Sequence, residues 1–197
     1  MSLGTPPELL TRVATLMAGF EHEWALCGGW GVDAWLGRQT REHVDVDLSI
    51  FVEDQHALHG YLRDGWLLNG HDPHDDESTH AWDGHRLDLP AHIHARAEGF
   101  DLDVQLNRRD GDGWVFSVEP RLTMPVKVVV RTSPWGLPTL APEAILFYKA
   151  MGDIRDHDAA DFRALLPTLD VVHRDWLRAG LAQLRPGHEW LAALKGR

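Results

Sequence analysis

The sequence predicts an α+β fold, with an α/β core over residues 1–132 and a helical region over residues 133–197. Three observations carry that reading. The first part alternates helix-period and strand-period segments, separated by Gly, Asp and Pro. After Pro134 and Pro138 the extended runs give way to a succession of helical patterns. At 197 residues, with 44% hydrophobic and 25% charged residues, the chain suits one well-packed domain or a domain with a small helical appendage.

Glu8 to Phe20 reads as an amphipathic helix, with Leu9, Leu10, Val13, Leu16 and Met17 at helical spacing after Pro6 and Pro7. The apolar run Trp24 to Cys27 meets Gly28-Gly29 as a strand ending in a tight turn. Trp30 to Leu36 then forms a short helical segment closed by Gly37. Val44 to Val52 alternates carboxylates with aliphatics and is a strand, and Glu53 to Asp64 is a helix ended by Gly65. Trp66 to Leu68 starts another strand, and Asn69 to Glu77 reads as an acidic loop. Ala91–Arg96, Phe100–Leu106, Trp114–Val118 and Val126–Arg131 all look extended. Pro142–Met151, Asp158–Leu166, Val172–Leu184 and His188–Leu194 are helical, broken by Pro167 and Pro186.

Composition narrows the function classes. A net charge of −11 argues against a nucleic-acid partner, which needs clustered Lys and Arg. It is compatible with cationic substrates, and equally with plain solubility. No apolar run is long enough to span a bilayer, and Met1 to Pro7 lacks a signal-peptide pattern. The single cysteine, Cys27, allows no internal disulfide, so a reducing cytoplasm is the expected location.

The chemistry-bearing pattern is a Gly28-Gly29 turn, a short helix, then Asp45-Val46-Asp47 on a strand. Carboxylates at i and i+2 of a strand share a face, with β-carbons about 6–7 Å apart. Both can reach a pair of divalent ions about 3.5–4 Å apart, the geometry of in-line displacement at phosphorus. A bound cation also offsets the cost of two like charges side by side. The glycines let backbone approach a phosphate at the start of a helix, whose dipole favours negative charge.

The stretch from Cys27 to Asp47, with Gly28-Gly29-Trp30, Asp33, Gly37, Arg41, His43, Asp45 and Asp47, resembles the signature of the aminoglycoside and lincosamide nucleotidyltransferases. These belong to the DNA polymerase β-like nucleotidyltransferase superfamily. The resemblance implies a nucleotidyltransferase fold, a mixed sheet flanked by helices. It also implies Mg2+ and transfer of a nucleoside monophosphate, AMP from ATP, to a hydroxyl of a small molecule. A third carboxylate on a later strand is part of the family pattern. Asp103, framed by Leu102 and Val104, matches it best, with Asp101 the alternative. By this resemblance Asp45, Asp47 and Asp103 are the catalytic and metal residues, Gly28 and Gly29 cradle phosphates, and Arg41 and Lys149 contact the triphosphate. Asp158 and Asp161 read as capping and solvated groups of their helix.

His71, His74, His80, His85, His92 and His94 crowd one region, and His92 and His94 share a strand face as zinc ligands would. His157-Asp158 is faintly similar to metal-dependent phosphohydrolases. Trp66, Trp82 and Trp114 offer stacking surfaces or core. Asp72, Asp75, Asp76, Glu77, Asp83 and Asp88 would favour a polycationic acceptor if they rim the cleft. The competing readings are a toxin–antitoxin-type or non-catalytic nucleotide-binding relative, and a zinc-dependent hydrolase. A homodimer is open.

Overall fold

The computed structural model describes residues 4–71, 80–117 and 119–195. Helix α1 (Glu8–Met17) buries Leu10, Val13 and Met17, the i, i+3, i+7 stripe of an amphipathic helix. It ends at Met17 rather than Phe20, whose N–H donates back to the Met17 carbonyl at 3.1 Å. Strand β1 (Trp24–Leu26) feeds α2 (Gly28–Leu36), which Gly37 closes in the left-handed region at φ 65°. Strand β2 (Val46–Phe51) passes through a 3-10 turn, Val52–Asp54, into α3 (Gln55–Leu62). There follow β3 (Leu67–His71), β4 (His80–Ala81), β5 (His92–Ala97), β6 (Phe100–Asp110), β7 (Gly113–Val115) and β8 (Thr123–Pro125). The chain continues through α4 (Val126–Val129), β9 (Val130–Thr132) and β10 (Pro138–Leu140). It ends in α5 (Pro142–Lys149), α6 (Asp156–Leu165), α7 (Val171–Leu184) and α8 (Trp190–Leu194).

The strands form a mixed sheet in the order β4-β3-β5-β6-β2-β1-β10-β9, with β7 and β8 branching from the end of β6. β2 runs parallel to β6, and β1 parallel to β10; their other neighbours are antiparallel. Val46, Leu48 and Ile50 stand in register with Leu102, Val104 and Leu106, and all six are at most 3% exposed. This hydrocarbon face packs with Leu10, Val13 and Met17 of α1 and Leu58 and Leu62 of α3. The alternate residues, Asp47, Ser49, Asp103, Gln105 and Asn107, therefore belong to the opposite face. A second core of Phe116, Phe147, Phe162, Leu177, Leu181 and Trp190 ties the C-terminal helices together beside that polar face. The architecture is α+β, a mixed sheet flanked by helices. Among the described residues, no helix is long and apolar enough to cross a membrane.

Three segments differ from expectation. Val126 to Arg131 is not one strand, because Val126 to Val129 forms a helical turn. Its β-branched run suggests a strand, but Val126 and Val129, three apart, are 9% and 0% exposed, so helical spacing buries both. Asn69 to His71 continues β3 instead of opening a loop, paired along its length with β5; residues 72–77 lie outside the described residues. Strand β10, only Pro-Thr-Leu, escaped detection. It is fixed by pairing with β1 and β9, so the sheet continues past residue 132.

Candidate active site

A cleft of about 860 Å³ opens on the polar face, between β2, β6 and the helices α2, α5 and α6. Its floor begins where β1 becomes α2. Cys27 donates its N–H to the Asp47 carbonyl at 3.0 Å, and its carbonyl accepts from Gly31 N–H at 2.8 Å. Between them Gly28 adopts φ +55°, a region costly for any side-chain-bearing residue. A Cβ at Gly28 would overlap the Asp47 carboxylate, and one at Gly29 would lie 2.5 Å from Arg41 Nη2 and His43 Nδ1. Both glycines are thus required by close approach of the site's own side chains.

The loop that carries Arg41, His43 and Asp45 is organised by Asp33, which is wholly buried. The Asp33 carboxylate accepts from Thr40 Oγ1 at 2.5 Å and pairs with His43 Nε2 at 2.6 Å. Its main-chain carbonyl receives the N–H groups of Gly37 and Arg38. The His43 ring rests on Trp30, with centroids 4.3 Å apart. Trp30, Asp33, Gly37 and His43 are therefore a positioning frame for the segment before β2. The sequence pattern contains these residues, but spacing alone does not disclose that role.

Asp45 lies immediately before β2, Asp47 is its second residue, and Asp103 on β6 is the direct register partner of Asp47. Neighbouring strands are about 4.8 Å apart, so the carboxylates of Asp47 and Asp103 crowd one another. Burial, then the Asp47 and Asp45 charges, pushes Asp103 up to about 7, although Gln105 Nε2 donates to its Oδ2 at 2.9 Å. Asp47 is raised as well, by burial and by Asp45, against the opposing Lys149 charge. Asp103 Oδ1 is buried without a hydrogen-bond partner among the described residues. Three converging carboxylates with an unpartnered buried oxygen fit a hard divalent cation such as magnesium, which takes oxygen ligands. Asp101 stands apart: both its oxygens lie 3.2 Å from Arg96 Nε.

Opposite the carboxylates lies a wall of cations. Lys149, 10% exposed at the end of α5, places Nζ 2.8 Å from Asp158 Oδ1 and 3.0 Å from Asp161 Oδ2. Arg155 Nε sits 2.9 Å from Asp158 Oδ2, and Arg41 Nη2 3.7 Å from Asp161 Oδ2. Burial would raise Asp158, but hydrogen bonds from Arg155 and Lys149 outweigh it and hold the carboxyl well below its ordinary range. Asp158 does cap α6, yet neither acid is solvated: both are buried and hold the cations in place. Arg155 and His157 also line the cleft, as do Ser49, Gln105, Asn107 and Tyr148. Sequence reasoning missed these last four, although the period-2 continuation of Asp47 and Asp103 along β2 and β6 reaches Ser49, Gln105 and Asn107.

The other candidates separate clearly. Trp82 and Trp114 are core residues, 4% and 2% exposed, and Trp66 packs on Phe100. Asp83 and Asp88 are exposed and do not line the cleft; Asp72, Asp75, Asp76 and Glu77 lie outside the described residues. His85 pairs with Asp83 at 2.8 Å, whereas His71, His92 and His94 come together. His74 and the side chain of His80 are outside the described residues. Burial raises the Cys27 thiol well above its ordinary range, with the Asp47 charge adding to it, which disfavours the thiolate form.

The sequence pattern of the family described as aminoglycoside-2''-adenylyltransferase matches residues 9–165, which include every cleft residue named above. The chain belongs to that family. As a member of the aminoglycoside-2''-adenylyltransferase family it is a nucleotidyltransferase. Its structure is similar to the lincomycin-bound crystal structure of the lincosamide antibiotic adenylyltransferase LnuA, at 20% identity and TM-score 0.61, covering 84% of this chain and 99% of that one. It is also similar to the solution structure of the antibiotic-resistance factor ANT(2'')-Ia, at 19% identity and TM-score 0.59, covering 89% and 90%. The crystal structure of ANT(2'')-Ia with adenylyl-2''-tobramycin gives 17% identity and TM-score 0.57, covering 90% and 95%. At these identities the likeness speaks for a shared fold. No curated protein sequence matches the chain.

Proposed function

We propose that this nucleotidyltransferase moves AMP from ATP to a hydroxyl of a small molecule of the aminoglycoside or lincosamide class, releasing pyrophosphate. The observation that carries the proposal is the meeting of Asp45, Asp47 and Asp103 against the side-chain-free Gly28, facing Arg41 and Lys149 across one cleft. Asp45, Asp47 and Asp103 would hold Mg2+, which when bound neutralises triphosphate charge and stabilises charge developing at the α-phosphate. Gly28 and Gly29 leave phosphate oxygens free to approach the start of α2, where the helix dipole favours negative charge. Lys149 and Arg41, already fixed by Asp158 and Asp161, would orient the phosphates at little entropic cost.

Asp103 would take the proton of the attacking hydroxyl. In the metal-free chain that carboxyl is pushed up to about 7 by burial and by the Asp47 and Asp45 charges, a proton affinity that a bound cation would lower. The acceptor class is supported by the net charge of −11 and by the lincomycin and tobramycin named for the similar structures. The test is pyrophosphate release from ATP with a panel of aminoglycosides and lincosamides. Release should require both an acceptor and Mg2+. No turnover with any acceptor, together with no ATP binding, would overturn the reading.

A further inference from the structure

The polar sheet face continues past the carboxylates into a second cluster of different chemistry. In register across the strands stand Asp47, Asp103, His94 and Asn69 in one row, and Ser49, Gln105, His92 and His71 in the next. His71 and His92 are direct partners on β3 and β5, and their rings stack with centroids 4.5 Å apart and planes 11° off parallel. His94, two residues along the same face, has its ring centroid 5.0 Å from His71 and 5.1 Å from His92. One ligand atom from each of the three residues lies within 4.8 Å of the others. His71 Nε2 is buried and has no hydrogen-bond partner among the described residues. His92 lines the cleft.

We infer that His71, His92 and His94 form a binding site for a borderline transition-metal dication of the zinc class, adjoining the carboxylate centre, where His94 Nε2 lies 3.7 Å from Asp103 Oδ1. Imidazole nitrogen suits zinc, cobalt or nickel, whereas magnesium selects oxygen ligands. Zinc–nitrogen bonds of about 2.0–2.1 Å in a tetrahedron need nitrogens about 3.3 Å apart. To bring nitrogens now within 4.8 Å to that separation, the stacked rings of His71 and His92 must turn out of parallel, which the broad χ2 torsion of histidine permits. Three protein ligands leave a fourth position, and His92 puts it on the cleft side. That position takes water, or an amine or hydroxyl of a molecule in the cleft. Among the three imidazoles, His94 already faces Asp103 at 3.7 Å, whereas the buried His71 Nε2 has no partner among the described residues, and a shared cation supplies one.

The test uses the full chain without an affinity tag, loaded with Zn2+ and dialysed against excess Mg2+ to clear oxygen sites. Wild type and Asp47→Asn should both retain one zinc per chain. His71→Asn and His92→Gln should each lose at least about a hundredfold in affinity, since even changes outside the ligand shell cost 10–100-fold. Zinc should raise the melting temperature of wild type but not of the histidine variants. Cobalt gives a reading that needs no variant: a nitrogen-rich tetrahedral site absorbs strongly in the visible, and an octahedral oxygen site weakly. Failure to retain zinc overturns the inference. So does zinc lost in Asp47→Asn yet kept in the histidine variants, or a weak octahedral cobalt spectrum.

Discussion

Asp103→Asn should stabilise the divalent-free protein above neutral pH while removing its activity. In the folded chain this carboxyl is displaced from 3.8 to about 7, first by burial and then by Asp47 and Asp45. An upward displacement means that the native state binds the proton more tightly than the unfolded chain. Its stabilising contribution is therefore fully present below about pH 4 and is lost as pH rises to about 7. Roughly three pH units at 1.36 kcal/mol each set an upper bound of about 4 kcal/mol of native-state penalty at pH 8. The side chain is 16% exposed, and part of the repulsion is shared with Asp47, so about 1–3 kcal/mol is the expected gain for Asn. For a chain of this size that is a rise of roughly 3–10 °C in melting temperature. Calorimetry in chelator at pH 8 and pH 5 reads it directly, with the larger rise at pH 8. An Asn variant that melts no higher than wild type at pH 8, or gains equally at both pH values, would refute the reasoning.

Other consequences follow from the same geometry. Asp45→Asn and Asp47→Asn should each cut kcat by at least about a thousandfold with little change in circular dichroism; near-normal turnover would reject their role. Gly28→Ala should lose about 1–2 kcal/mol from the left-handed backbone alone, and more from overlap with Asp47, measured by urea unfolding. Lys149→Met leaves the buried Asp158 and Asp161 short of their main cation and should cost about 3–5 kcal/mol, with Lys149→Arg recovering part of it.

Much of this was legible in the sequence because local pattern and tertiary fold agree there. The alternation around Asp45 and Asp47, the apolar frame of Asp103 and the stripe of α1 each state their burial in their own spacing. The turn at Val126 to Val129 was not legible, since β-branched residues favour a strand until packing of Val126 and Val129 decides otherwise. Nor was β10, because three residues carry no period. In the cleft, the short-range grammar of Gly28-Gly29 and Asp45-x-Asp47 could be read. The long-range partners could not: Asp33 holding His43, Asp158 and Asp161 holding Lys149, and His71 meeting His92 depend on contacts that no spacing encodes. The raised Asp103 has the same origin, since its burial, and then the Asp47 charge beside it, come from segments far apart in sequence.

The most direct test of the central claim is the location of a metal bound with nucleotide. Crystals grown with Mn2+ in place of Mg2+ and a non-hydrolysable ATP analogue would report it by anomalous scattering. The account predicts manganese between Asp45 and Asp47, with the triphosphate running along Gly28 and Gly29 toward Lys149. Manganese found away from both aspartates, or a nucleotide bound without approaching them, would contradict it.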